Sequence, residues 1–209
     1  MAKSREKVQQ LGIWDAEVDT PDHDAMCVWA YKNADEVLRI ARPDLFDREW
    51  IDKEVYGASA REGIDATPGL REFLKNTPRP NPKASKKTLE FVLRSFHGHR
   101  DSYERVVGYA DVLIEASLPF VSGIYEKDED TRPSSFGVQW SGRDDRLSER
   151  LLVEAKFKIE TVGALMRQIN LYRTVFSGTV VIISPDDEFS DIIMDHGIRF
   201  IKFDPKWLR

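Results

Sequence analysis

The chain has 209 residues, of which 41% are hydrophobic and 32% charged, the composition of a folded globular protein rather than a disordered one. No apolar run approaches the ~18 residues of a membrane span, and the polar start Met1–Gln10 lacks the apolar segment of a secretory signal, so a cytoplasmic location with no membrane partner is expected. Cys27 is the single cysteine, which excludes an intramolecular disulfide and any four-cysteine zinc or iron–sulfur site. The net charge of −5 gives no general affinity for nucleic acid, but its distribution is uneven. Residues 1–70 carry 9 basic and 15 acidic side chains, residues 71–100 carry 8 and 2, and residues 101–209 carry 14 and 19.

The first segment is acidic and rich in tryptophan. Asp19, Asp22, His23 and Asp24 read as a polar loop rather than a metal cluster. Trp14, Trp29 and Trp50 read as a small local core, and Cys27, in the run Met26-Cys27-Val28-Trp29, as a small buried hydrophobe. Pro78, Pro80 and Pro82 stand at alternate positions, which prevents a helix and favours an extended connection. The organisation expected is an N-terminal acidic appendage over residues 1–80, ending in this Pro-rich linker, followed by a core domain over 81–209 with an insertion at 119–149. The basic stretch 71–100 is a candidate face for a phosphate backbone.

Leu89, Val92, Leu93 and Phe96 fall at helical spacing and predict a helix over 87–97. The β-branched runs 105–109 and 111–116 predict one long strand or two. Arg150–Phe157 reads as a buried strand. Thr161 caps an expected helix over 161–176 that ends at Ser177-Gly178, and Thr179–Ile183 has the continuous apolar pattern of a strand covered on both sides. Ser184-Pro185-Asp186-Asp187-Glu188 has the features of a helix start, with Gly197 as its stop and a last strand over 198–203. The fold class expected is α/β, a mixed β-sheet flanked by helices.

Glu154-Ala155-Lys156 places a carboxylate and an ammonium two residues apart, on one face of a strand with an apolar interior. Same-strand ion pairs contribute little by themselves. A hard cation such as Mg²⁺, which takes carboxylate oxygens, gives the pair a better reason to be there. Asp111 supplies a second carboxylate if 111–118 and 150–157 pair antiparallel. Matching Leu118 with Arg150 then sets Ile114 opposite Glu154 and Val112 opposite Lys156. Asp144 or Asp145 is the alternative second acid if Phe136–Trp140 is the partner strand.

Gly108-Tyr109-Ala110-Asp111 matches GxxD, Glu154-Ala155-Lys156 matches (D/E)xK, and Gln168-Ile169-Asn170-Leu171-Tyr172 matches QxxxY on the following helix. In this order the three motifs resemble the RecB-like branch of the PD-(D/E)XK nucleases, over roughly Leu89 to Phe203. The resemblance implies a restriction-endonuclease-like sheet and a Mg²⁺- or Mn²⁺-dependent deoxyribonuclease. Asp111, Glu154 and the Ala155 carbonyl would hold the metal. Lys156 would orient or activate the attacking water, and Gln168 and Tyr172 would position substrate or Lys156. Lys83, Lys86, Lys87, Arg94, Arg100 and Arg143 would contact nucleic acid, DNA in preference to RNA, with Arg132 and Arg146 also in the insertion at the mouth of the cleft. Two features depart from the family pattern. Asp111 and Glu154 are separated by 42 residues, far more than a short hairpin. The family's upstream histidine has two candidates by sequence, His97 and His99. Two other readings remain, a nuclease fold retired to nucleic-acid binding and a protein-interaction domain of a virus or plasmid.

Overall fold

The computed structural model describes residues 21–47, 80–97, 103–127, 135–141 and 148–208. Its centre is a five-stranded mixed sheet of order β1-β2-β5-β6-β7. The strands are β1 (Lys83–His97), β2 (Tyr103–Ser117), β5 (Ser148–Ala155), β6 (Thr179–Ser184) and β7 (Arg199–Lys202). The first three are antiparallel neighbours, and β5, β6 and β7 run parallel. Between β2 and β5, β3 (Phe120–Lys127) and β4 (Ser135–Ser141) form a separate two-stranded ribbon.

Helices cover both faces. On one lie α1 (Pro21–Lys32) and α2 (Ala34–Ala41). Met26, Ala30, Val37 and Leu38 bury themselves there against Val112, Ile114, Leu151, Val153 and Ile183. On the other lie α3 (Val162–Arg173) and α4 (Ser190–Asp195), where Leu165, Ile169, Tyr172 and Ile193 pack on Leu113, Leu152 and Ile182. The unbroken burial of Leu151 to Ala155 and Val180 to Ser184 follows from being covered twice.

Several expectations hold. β2 is a single strand, α3 is capped by Thr161, whose hydroxyl accepts from Ala164 N at 3.2 Å, and β6 and β7 lie where their apolar runs place them. By contrast, Trp29 belongs to no local N-terminal core: it is buried in the sheet's own core, stacked on Trp207 with centroids 4.6 Å apart. Trp14, Trp50, Asp19, His99, Arg100, Arg132, Arg143, Asp144, Asp145, Arg146 and the proline linker up to residue 79 lie outside the described residues.

Six further expectations are corrected. Residues 21–41 belong to no separate appendage, because α1 and α2 form one wall of the sheet's own core. They are tied to it by Asp35, whose carboxylate accepts from Ala84 N at 2.7 Å. Asp22, His23 and Asp24 lie on α1, not in a loop. The expected helix over 87–97 is strand β1. Its pairing with β2 shifts register between Leu93 and Arg94 and skips Glu90, which has φ of 50°. These irregularities break the period of two and leave the apolar residues at spacings that imitate a helix. The segment Ser184–Glu188 does not open a helix. Ser184 ends β6, its hydroxyl accepts from Asp186 N and Asp186 accepts from Glu188 N. Such local side-chain bonds compete with helical ones, and α4 starts only at Ser190. The β2–β5 register is shifted by three residues from the expected one, to Val112↔Val153 and Glu115↔Arg150. Finally, β4 pairs with β3, so Phe136–Trp140 is not the partner of β5.

Candidate active site

The site forms where the β2–β5 ladder ends. Its last described pair is Val112↔Val153, so one further step along each strand brings Asp111 and Glu154 together. An odd shift of register exchanges the faces of a strand. The three-residue correction therefore moves Glu154 from a position opposite Ile114 to one beside Asp111.

Asp111 leaves the regular ladder. Ala110 and Leu113 belong to the core under α3, while Val112 and Ile114 belong to the core under α1. The alternation therefore breaks between Ala110 and Val112, opposite the irregularity at Glu90. The Asp111 carboxylate replaces a backbone carbonyl and accepts from Ala155 N at 2.8 Å. On its other side β5 stays paired, since Lys156 N donates to Ile183 O at 2.9 Å. The carboxylate that the sequence suggested as a metal ligand thus also holds the end of the strand carrying Glu154.

Glu154 is only 3% exposed. Gln168 Nε2 donates to its Oε1 at 2.7 Å, and Lys156 Nζ lies 3.2 Å from the same oxygen. Gln168 also donates to the Tyr172 hydroxyl at 2.7 Å, and that hydroxyl donates to Tyr109 O at 2.6 Å. Gln168 and Tyr172 stand one turn apart on α3 and reach the strand together. Tyr172 Oη lies 3.3 Å from Glu154 Oε2. A hydroxyl has one proton to give, and its shortest contact is with Tyr109 O. The Glu154 contact is satisfied when the carboxyl itself carries the proton.

The electrostatics agree. Burial, and then the Asp111 charge, push the Glu154 carboxyl up to about 7, against the opposing pull of Lys156 and Gln168. Burial beside Glu154 also raises the Tyr172 phenol, which stays protonated. Burial, more than any excess of acids, disfavours the ionised form of Glu154.

The residue that the sequence reading missed is His23. It projects from α1, and its Nε2 lies 3.4 Å from Asp111 Oδ2. The Asp111 hydrogen bond, and then Cys27, raise its imidazole to about 11 against desolvation. The signal was the i, i+4 spacing of His23 and Cys27, which places both on one helix face, in a segment that its three acids made look like a loop. His97 lies at the far end of β1, across from Tyr103 rather than Asp111.

The expected nucleic-acid contacts are spread along the edge strand. Lys83, Lys86, Lys87 and Arg94 all lie on β1. Lys86 pairs with Glu115 at 2.9 Å, Arg94 pairs with Glu104, and Lys87 sits 4.9 Å over the Tyr31 ring. The acids of β2 thus offset much of the charge that the sequence concentrates there.

Compared with known proteins, the chain matches no family model, no curated protein and no solved structure.

Proposed function

We propose that the protein is a metal-dependent nuclease that hydrolyses phosphodiester bonds, with DNA its favoured substrate. The observation carrying this reading is the convergence of Asp111, Glu154, Lys156, Gln168 and Tyr172, from two strands and a helix, on one largely buried polar cluster. The three motifs quoted for the RecB-like resemblance all contribute to it.

The donor set suits a hard divalent cation. Two carboxylates adjoin, one is buried with its charge disfavoured, and Mg²⁺ and Mn²⁺ take oxygen ligands of this kind. Asp111, Glu154 and the Ala155 carbonyl would hold the ion, which when bound polarises a phosphoryl oxygen and lowers the pKa of bound water. Asp111 fixes the Ala155 amide and thereby the direction of the strand end. Gln168 fixes one oxygen of Glu154, and the Tyr172 hydroxyl holds Gln168 in place. Lys156, 14% exposed in its side chain, would place the attacking water and stabilise charge developing on phosphate.

The test is incubation with labelled single- and double-stranded DNA and RNA in Mg²⁺, Mn²⁺ or chelator. Cleavage that requires the metal supports the reading. Cleavage at full rate in chelator, or none of any substrate with either metal, overturns it.

A further inference from the structure

His23, Cys27 and Asp111 each turn one donor atom toward a common point, and the three atoms lie within 4.8 Å of one another. Cys27 Sγ is 3.8 Å from His23 Nε2, and His23 Nε2 is 3.4 Å from Asp111 Oδ2. Tetrahedral zinc, with bonds of about 2.3 Å to sulfur and about 2.0–2.2 Å to nitrogen or oxygen, sets its ligand atoms roughly 3.3–3.7 Å apart. These two edges are already near that size. Thiolate and imidazole are soft and borderline donors that Mg²⁺ does not select. A ligating histidine commonly directs its second ring nitrogen at a carboxylate, and His23 Nδ1 lies 3.6 Å from Asp24 Oδ1.

We propose that His23, Cys27 and Asp111 form a zinc site on the α1 side of the nuclease centre, using Asp111 in common with it. Zinc binding displaces the thiol proton and the imidazolium proton to solvent, and leaves a fourth position for water. Because Asp111 cannot serve both sites unchanged, zinc acts as an inhibitor of Mg²⁺-dependent cleavage. This last consequence rests on the nuclease reading, whereas the site itself does not.

Co²⁺ is the probe, because thiolate coordination gives it a near-ultraviolet charge-transfer band and a tetrahedral field gives it intense visible bands. The metal-free full chain is titrated with Co²⁺, and then with Zn²⁺ against a chelating dye. The expected result is both sets of bands at one equivalent, displaced by Zn²⁺, with the charge-transfer band lost in Cys27→Ser. Loss of an outer-shell partner costs about 10–100-fold in metal affinity. Loss of a ligand should therefore weaken Zn²⁺ by at least about 100-fold. His23→Gln, at a partly exposed position, provides a second variant should Cys27→Ser fail to fold, and it too should lose the tetrahedral bands. A folded wild-type protein without the charge-transfer band, or a Cys27→Ser protein that retains it, overturns the site. If the bands appear and cleavage is absent altogether, the zinc site stands and the nuclease reading fails. If the bands appear and Zn²⁺ leaves Mg²⁺-dependent cleavage unchanged, the sharing of Asp111 is refuted.

Discussion

Strand β5 carries a buried or half-buried acid near each end, and the two acids are treated differently. At the start, Glu149 receives Arg42 Nη1 at 2.6 Å and the Thr179 hydroxyl at 2.8 Å. Arg42 also holds Asp44, with its Nη2 2.7 Å from Asp44 Oδ2. The consequence is a network matched in geometry, with each acid meeting the guanidinium. The Asp44 carboxyl is held below its usual range by its hydrogen bonds from Arg42, and the guanidinium is held yet more firmly protonated. Near the other end, burial and the Asp111 charge push Glu154 up. A cavity of about 590 Å³ lies at the matched end, lined by Arg42, Glu149, Arg150, Arg173 and Arg199 among others, so concavity is not what distinguishes the proposed catalytic end. What distinguishes it is burial: Glu154 is 3% exposed and burial pushes its carboxyl up, whereas Arg42 holds Asp44 below its usual range. Such an arrangement has a use for a cation, and perturbed acids of this kind concentrate at functional sites.

The largest effects should come from removing a charged group at each end in turn. Asp111→Asn keeps an oxygen that accepts from Ala155 N, so the strand end persists while the charge is lost. Cleavage should fall on the order of 10³-fold or more with an unchanged circular dichroism spectrum, and Glu154→Gln should do the same. Asp145→Asn, in the insertion, should have a much smaller effect. Arg42→Ala should show the opposite profile, with cleavage near wild type and stability reduced by about 1 kcal/mol. If Arg42→Ala proves the inactive variant and Asp111→Asn the active one, the comparison between the two ends is reversed.

Lys156→Met comes next. If Lys156 only neutralises Glu154, its loss leaves a buried acid unpaired, a cost of about 3–5 kcal/mol. If it acts on water beside a bound cation, the cation still balances Glu154 and the fold persists. The expected outcome is a loss of cleavage of about 10²–10⁴-fold, with metal and nucleic-acid binding retained and the melting temperature in Mg²⁺ little changed. An active Lys156→Met protein, or one unfolded even with Mg²⁺ present, would assign the lysine to structure.

How much of this was legible in the sequence differs between the two faces of the sheet. The α3 face was readable, since Glu154, Lys156, Gln168 and Tyr172 lie within one strand–helix unit and their spacing fixes their mutual direction. The α1 face was not. His23 stands 88 positions before Asp111, beyond a proline-rich stretch that suggested separation, and no local period reports that α1 returns to the sheet. Strand β1 was misread for a different reason, because a backbone irregularity at Glu90 shifts its side-chain pattern from period two toward that of a helix. The register differs for another reason: β5 begins at Ser148, opposite Ser117, and not at Arg150 opposite Leu118.

A smaller effect is expected at Tyr172, which touches Glu154 without belonging to the donor set. Tyr172→Phe removes the hydroxyl that accepts from Gln168 and donates to Tyr109 O, while the ring keeps its place in the core. Partners one step removed from a metal are worth about 10–100-fold. Cleavage should fall by that factor, with the Mg²⁺ concentration needed for half-maximal rate raised and the substrate KM little affected. A change in KM alone would place the residue in substrate contact and outside the Glu154 network.

The smallest effect is the pH dependence of the metal-free protein, and it separates the two ends of β5 by sign. The folded-state value of Glu154 lies above the ordinary 4.5, at about 7. Folding therefore favours the protonated carboxyl, and the stability this contributes is complete below the unfolded value and lost as pH rises through the folded one. The raised imidazole of His23, about 11 against 6.5, acts in the same direction over a higher range. Asp44 acts oppositely: its lowered value contributes stability that is present above the usual carboxylate range and lost on acidification. In chelator the melting temperature should accordingly fall between about pH 5 and pH 8. Glu154→Gln should flatten that decline, because an amide mimics the protonated acid. Saturating Mg²⁺ should flatten or reverse it as well, since the ion binds the ionised carboxylates and competes with the proton. Arg42→Ala should leave the decline intact and alter only the acid limb. A metal-free protein whose melting temperature rises from pH 5 to pH 8 would show that Glu154 is ionised and already balanced, and the contrast between the two ends would then be lost.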